Sequence, residues 1–374
     1  MSKNISKLSG RKGLKDNLFK RMIDITNKNN NGKEIKQLAE EYHVGMSTIH
    51  GAESFYEFLR PEHKEKKAWV CNGSACMCAG NQDKLKEKLV DKLGKDKVGE
   101  MFCLGHCYEN NAFHYDGYNY SGKDIDQIDE IIKGKKINEK NINSISYATT
   151  SILMGEDLSS VEKFKDLLSQ TLKNDKKETL KTITESNLCG RGGAGFPTGM
   201  KWNFCSQQKV EKKYVVCNAD EGDSGTFADR LVMESDPFVL IEGMTIAGIA
   251  VGATEGYIYL RTEYPLAIEI MNQAIKLAES AGYLGVDVMG SGKTFCLEVR
   301  EAAGAYICGE ETSMLESLEG KRGVIRYRPP LPAIKGFFGA PTIVNNVETI
   351  AVVPTILRRG GKWFASLGRE KNTG

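Results

Sequence analysis

The chain has 374 residues, with 51 Lys and Arg against 49 Asp and Glu. That length holds two or three domains with their own cores, and the formal net charge of +2 argues against general nucleic-acid binding. The opening MSKNISKLSGRKG lacks an apolar segment, and the most apolar long run, Val239 to Leu260, is broken by Glu242 and Glu255; neither a secretory leader nor a membrane span is expected.

Residues 14–60 read as short helices, forming a bundle over 1–62. LKDNLFKRMIDI puts Leu14, Leu18, Met22 and Ile25 on one stripe. NKNNNGK (27–33) reads as a loop, IKQLAEEYHV starts a second helix, and Phe55, Tyr56 and Phe58 precede Pro61, which stops the segment. From Lys67 the pattern changes: AWV is a short strand running into Cys71, NQDKLKEKLVDKL an amphipathic helix, and VGEMFCLG a second strand. Asp116-Gly117 between alternating aromatics predicts a two-residue hairpin, and DIDQIDEIIKG a closing helix. The layout over 63–135 is that of a small α/β redox domain. A lysine- and asparagine-rich linker over 136–160 leads into a second domain, 161–374.

Ten cysteines in a chain without a leader point to metal ligands or redox groups in a reducing cytoplasm. Only Cys71-x4-Cys76 and Cys103-x3-Cys107 form a constellation, at the ends of the two strands. Four thiolates on neighbouring loops can hold an iron–sulfur cluster or a zinc ion; zinc prefers tighter spacing, which favours the cluster without closing the alternative. Cys78 misses the plant ferredoxin spacing by one residue and is left out of the set.

In the second domain, residues 189–202 read CGRGGAGFPTGMKW, with glycine at 190, 192, 193, 195 and 199. Such density means a sharp bend or a backbone touched by ligand. Bare amides there, with Arg191 and Lys201 adjacent, predict a phosphate cradle; a glycine-rich surface loop is the plainer reading. Gly190-x-Gly192-x-x-Gly195 matches the dinucleotide fingerprint, but KKETLKTITESNL before it has helical spacing where a strand is required. KKYVVCNADEGD is a strand ending in an acidic loop, whose Asn218, Asp220, Glu221 and Asp223 suit hydroxyls and ring nitrogens or simply make a turn. Val239 to Leu260 reads as a buried helix followed by a strand. GSGKT (290–294) is not a P-loop, since Asp287 stands where glycine is required, and TFCLEVRE after it reads as a strand. AAGAYICGEET predicts a strand through Tyr306 and Ile307 meeting Gly309. Glu310 and Glu311 then start a helix, serving either its dipole or ribose hydroxyls. In GAPTIVNNVETIA, Asn345 and Asn346 are expected in a loop entering a helix.

These motifs carry a resemblance. CNGSAC and CLGHC make residues 14–133 similar to the thioredoxin-like [2Fe–2S] subunit of respiratory complex I, which implies Cys71, Cys76, Cys103 and Cys107 as cluster ligands. GRGGAGFPTGMKW, CNADEGDSGTFADR, AAGAYICGEET and PTIVNNVET, in that order, make residues 160–374 resemble the FMN- and NADH-binding subunit. The resemblance implies FMN contacts at Gly190, Gly192, Lys201, Asn218, Asp220, Glu221, Tyr306, Gly309, Glu310, Val344, Asn345, Asn346 and Thr349. It implies dinucleotide contacts at Gly193, Phe196, Phe204, Asp223 and Glu311, with the two phenylalanines stacking on adenine. Ser224 replaces the family's proline, Ala302 a glycine, Arg328 a lysine and Leu331 a phenylalanine. No C-x2-C-x2-C run occurs, so the family's [4Fe–4S] domain is expected to be absent from this chain. The fused order resembles NAD-reducing hydrogenases and NAD-dependent formate dehydrogenases. It implies a cytoplasmic diaphorase module with FMN, NAD(H) and a [2Fe–2S] cluster, other iron–sulfur subunits as partners, and a Rossmann-like second domain. A non-catalytic assembly subunit with zinc at the cysteines is the alternative.

Overall fold

Two sheets organise the computed structural model, which describes residues 18–27, 32–135 and 165–369. The predicted linker over 136–160, Leu14 of the first helical stripe and most of the 27–33 loop lie outside those residues; Gly32 already begins the second helix.

The first sheet contains β1 (Ala68–Cys71), β2 (Val98–Met101), β3 (Phe113–Tyr115) and β4 (Tyr118–Tyr120), ordered β2-β1-β3-β4. β1 and β2 are parallel, joined by the amphipathic helix Gln82–Leu93, while β1/β3 and β3/β4 are antiparallel. The hairpin forms at the expected dipeptide, Asp116 and Gly117 both having positive φ, 49° and 84°, as a primed two-residue turn requires. This is a thioredoxin-like arrangement.

The second sheet, β5 (Tyr214–Ala219), β6 (Glu255–Leu260), β7 (Cys296–Glu301) and β8 (Thr342–Asn346), is fully parallel, ordered β7-β6-β5-β8. Strand alternation divides its side chains between two cores. Val215, Cys217, Ile258 and Ile343 face a helical layer built on Pro237–Val251, a helix buried all round as its apolar sequence demands. Asp236 caps that helix through Val239 N at 3.2 Å, Gly252 ends it in the left-handed region, and Arg358 meets the buried Glu242 at 2.7 Å. The run from Val239 to Leu260 is therefore the expected helix followed by a strand.

The opposite face of this sheet is covered by the leading helices. Leu18, Met22, Leu38, Ile49 and Tyr56 share one core with Val216, Tyr259, Leu315 and Val344. Burial contributes about 2 kcal/mol for each such aliphatic side chain. The bundle thus precedes the cysteine domain in sequence but completes the core of the second domain. Tyr56 Oη donates to the Lys321 carbonyl at 2.6 Å, and Glu57 N to Gly304 O at 2.9 Å.

Two sequence expectations are corrected. The strand expected through Tyr306 and Ile307 is a 3-10 turn, Tyr306–Gly309; β7 has already ended at Glu301. The chain turns at Gly304, where φ is +80° and a Cβ would lie 2.7 Å from Phe58. Asn345 and Asn346 are not loop residues but the end of β8, held by parallel pairing of Cys217 with Asn345 and Asn218 with Asn346.

Candidate functional site

The cysteine centre is built by two loops of the first domain and closed by a loop of the second. Cys71 ends β1, Cys76 lies in the short helix Ser74–Cys78 where a strand end was expected, and Cys103 and Cys107 flank the turn after β2. Positive φ at Cys103 (40°) and Gly105 (73°) curls that turn. Cys103 Sγ lies 3.4 Å from Cys107 Sγ, and Cys71 hydrogen-bonds Cys76. Sharing that hydrogen bond pushes Cys76 down to about 7 and Cys71 up. Burial, with Cys103 alongside, pushes Cys107 up to about 11. Backbone N–H groups aim at the sulfurs: Gly73 and Leu104 at Cys71, Ala112 at Cys76 and Gly225 at Cys107. Among the described residues no three Cys, His, Asp or Glu side chains converge tightly enough for one metal ion. Two thiol pairs, with amides donating to sulfur, fit a two-iron cluster better than a single zinc. Cys78 is exposed.

The second site is a cleft with two lobes, of about 330 and 490 Å³, beyond the carboxyl ends of β5 and β8, where parallel sheets bind ligands. Gly192, Asn218, Gly309, Glu310 and Asn346 line both lobes. The first is walled by Phe196, Leu331, Pro332 and Ala333 and contains Lys201, Glu311 and Arg328. The second carries Asp220, Glu221, Asp223, Asp229, Glu348 and Tyr306.

The glycine loop is pinned at both ends. Gly190 N donates to Phe196 O at 2.9 Å, and Arg191 N to Thr349 Oγ1 at 2.8 Å. Between these points, among the described residues, the amides of Gly192, Gly193, Ala194 and Gly195 have no hydrogen-bond acceptor. Gly193 and Gly195 have positive φ, 102° and 62°, and no atom lies where their Cβ would project. This is the bare-amide bend expected of a cradle.

Several predicted ligand contacts turn out to hold the walls together. Asn218 Nδ2 donates to Gly309 O at 2.8 Å while its Oδ1 accepts from Asp220 N at 3.2 Å. Asn345 Oδ1 accepts from Trp202 Nε1 at 3.0 Å. Asn346 caps the following helix through Thr349 N at 3.0 Å, and Thr349, fully buried, donates its hydroxyl to Asn346. Glu221 accepts from Asp229 N at 2.9 Å, Arg230 N at 3.3 Å and Tyr264 Oη at 3.1 Å, capping the helix Ala228–Ser235. Asp223 accepts from the Tyr306 hydroxyl. Lys201 Nζ donates to Val344 O at 2.7 Å and lies 3.5 Å from Glu311; Arg328 pairs with Glu311 at 2.8 Å. The charge expected of Lys201 at the cradle is thus partly met by Glu311. Phe196 lines the first lobe, but Phe204 packs on the core and lines neither.

Glu310 is a different case. Its Oε2 caps the helix Glu311–Leu318 through Thr312 N at 2.8 Å and Ser313 N at 2.9 Å. Its Oε1, buried and 3.3 Å from Arg328 Nη2, makes no hydrogen bond. A carboxylate oxygen that makes no hydrogen bond and is paired only with Arg328, in the same lobe as the glycine-loop amides, fits a ligand that brings hydroxyls and phosphate. The acidity of the second lobe is moderated by burial, which lifts Asp220 to about 7 and raises Glu221 and Asp229 as well.

Sequence reasoning missed Glu348 and Asp229, which line the second lobe, and Arg261, which lines neither. Asp229 and Glu348 lie inside the motifs CNADEGDSGTFADR and PTIVNNVET, and Arg261 lies in none; each becomes significant only through what the fold brings beside it. The loop between β5 and the Ala228–Ser235 helix touches both sites, with Ser224 Oγ 3.4 Å from Ala75 N and Gly225 N–H directed at Cys107.

Residues 28–136 match the family model of the thioredoxin-like [2Fe–2S] ferredoxin, and residues 183–355 that of the Nuo51 FMN-binding domain. Over 197 residues the chain is 53% identical to the mitochondrial NADH dehydrogenase [ubiquinone] flavoprotein 1 of Dictyostelium discoideum, covering 52% of this chain and 41% of that protein. Over 196 residues it is 51% identical to the mitochondrial NADH-ubiquinone oxidoreductase 51 kDa subunit of Neurospora crassa, 51% of this chain and 40% of that one. It is 48% identical over 207 residues to the NADP-reducing hydrogenase subunit HndC of Solidesulfovibrio fructosivorans, 55% of this chain and 42% of that one. The chain thus spans less than half the length of these curated relatives. A crystal structure of NAD+-reducing [NiFe]-hydrogenase in the H2-reduced state superposes with a TM-score of 0.77 at 28% identity, over 94% of this chain and 63% of that one. No helix among the described residues is long and apolar enough to cross a membrane.

Proposed function

We propose that this chain, which joins a thioredoxin-like [2Fe–2S] ferredoxin domain to a Nuo51-type FMN-binding domain, is a diaphorase module. It would exchange electrons between NAD(H) and the iron–sulfur subunits of a larger redox complex. The observation that carries the reading is the shared loop: residues 220–227 line the cleft on one side and meet the cysteine loop on the other, where Ala75 N donates to Ser224 Oγ at 3.4 Å. Bound flavin supplies the chemistry of dividing a two-electron hydride equivalent into single electrons for an iron–sulfur centre.

The protein's part is alignment. The amides from Gly192 to Gly195 would hold phosphate, Glu310 Oε1 would accept from a hydroxyl, and the wall from Phe196 to Leu331 would bury planar rings away from water. Hydride exchange between two bound cofactors requires no catalytic acid or base from the protein. Cys71, Cys76, Cys103 and Cys107 would hold the cluster. Two of the relatives are subunits, one of NADH-ubiquinone oxidoreductase and one of a hydrogenase, which supports a multisubunit setting. Ten free thiols support a cytoplasmic one.

The test is analysis of the purified full chain. About one FMN and two irons per chain are expected, with a rhombic signal on reduction and bleaching of the flavin band by NADH. Zinc in place of iron, or flavin that NADH does not bleach, would overturn the reading.

A further inference from the structure

Arg261 follows directly after β6 and is almost wholly buried, at 3% exposure, between the two sites. Its Nη1 donates to the carbonyl of Glu221 in the cleft loop. Its Nη2 donates at 3.0 Å to the carbonyl of Phe102, the residue before Cys103, and at 3.2 Å to the Glu263 carboxylate. One planar guanidinium thus grips the backbone of both loops, a geometry the ammonium of lysine cannot reproduce. Around it the interface is close: Gly105 presses on Tyr264 and Arg230, where a Cβ would lie 2.8 and 3.0 Å away, and Asn119 Nδ2 donates to Glu263 O at 2.8 Å. The surroundings hold the cation as well as its hydrogen bonds, since the Tyr264 ring centre lies 4.9 Å from its Cζ.

From this placement we infer that Arg261 is a positioning residue that joins the flavin cleft to the cysteine centre and raises the reduction potential of the cluster held there, with Glu263 opposing it. The inference rests on the reading of the cysteines as cluster ligands. Reduction adds one negative charge to the centre, and a buried cation one residue from a ligand's backbone favours that state. A carboxylate on the same cation disfavours it, and the low local dielectric keeps both effects from being screened. Opposite signs are the signature, because damage to packing alone would not move the two variants in opposite directions.

The experiment is redox titration of the full chain, with the cluster followed by its paramagnetic signal and the flavin by absorbance. Arg261→Gln is expected to make the cluster harder to reduce by at least tenfold in equilibrium constant, about 59 mV for a one-electron couple. Glu263→Gln is expected to make it easier to reduce, and Arg261→Lys to recover more than half of the Arg261→Gln shift. An unchanged cluster potential in Arg261→Gln, or shifts of the same sign in Arg261→Gln and Glu263→Gln, would overturn the inference. If Arg261→Gln does not fold, Glu263→Gln decides alone: an upward shift supports the assignment and any other result removes it. Wild-type protein without iron would instead sink the functional reading, so the two failures are distinguishable.

Discussion

The cysteine centre and the two-lobed cleft face each other across one loop, yet they are built in different ways. The four thiols come from two turns within 37 residues of sequence, Cys71 to Cys107. Each turn is shaped locally, by the short helix Ser74–Cys78 or by positive φ at Cys103 and Gly105. The cleft draws on five segments between Gly190 and Glu348, and most of the polar side chains in its motifs make hydrogen bonds to one another or to the walls. What they leave for a ligand, among the described residues, is chiefly backbone: four unengaged amides, with one carboxylate oxygen that makes no hydrogen bond and is paired only with Arg328. A centre made of side-chain ligands is therefore lost one residue at a time, whereas a cleft made of backbone is lost by filling or misplacing it.

That contrast can be broken by a pair of variants, which carry the largest expected effects. Cys103→Ser should abolish the iron signal while flavin content stays at the wild-type level, as read by metal analysis and absorbance on one sample. Gly309→Val should do the reverse. Gly309 lines both lobes, and its Cβ already falls 3.3 Å from Asp220 O, so branched carbons fill the space. FMN affinity should drop at least about 100-fold, some 3 kcal/mol, with iron retained. Loss of both cofactors in both variants would mean that the two sites are one cooperative structure.

A smaller effect comes from pH. Burial lifts Asp220 to about 7, with Arg261 opposing the rise, so the carboxyl is neutral below that value and charged above it. FMN affinity should hold steady under acid conditions and weaken as pH climbs through 7, with Asp220→Asn removing the step in a titration. Since an unfolded aspartate ionises near about 4, the ligand-free fold should also lose stability across that interval, because the unfolded chain releases the proton first.

The smallest effect tests where the leading helices belong. Tyr56→Phe removes the hydrogen bond to the Lys321 carbonyl and should cost about 1 kcal/mol. The loss should appear in thermal unfolding followed by flavin release, and the iron signal should be little affected. A loss confined to the iron centre would place the bundle with the wrong domain.

Much of this architecture was legible from pattern. Alternating aromatics around Asp116-Gly117 specify a hairpin because that turn needs two residues at positive φ. The run from Val239 to Leu260 specifies a helix and a strand because its interrupting charges find partners, Glu242 with Arg358 and Glu255 with Lys212. The cysteine spacing and the glycine-dense loop were likewise readable, since ligand count and backbone freedom are properties of residue type. The turn at Tyr306 was misread as a strand because the chain beyond β7, which ends at Glu301, is held by residues about 246 positions earlier: Glu57 N donates to Gly304 O and Phe58 N to Ala303 O.

Residue chemistry and local spacing determined which groups could bind, because thiols, bare amides and carboxylates keep their character wherever the chain places them. Tertiary structure alone decided which of those groups remain free. Asn218, Glu221 and Thr349 hydrogen-bond within the walls they build, Glu310 keeps one oxygen that makes no hydrogen bond and is paired only with Arg328, and Arg261 gains its place from two carbonyls about 119 residues apart in sequence. The physical reason is that each donor hydrogen and each lone pair serves one partner at a time: how much of a polar group is left for a ligand depends on which neighbours folding brings within about 3 Å of it.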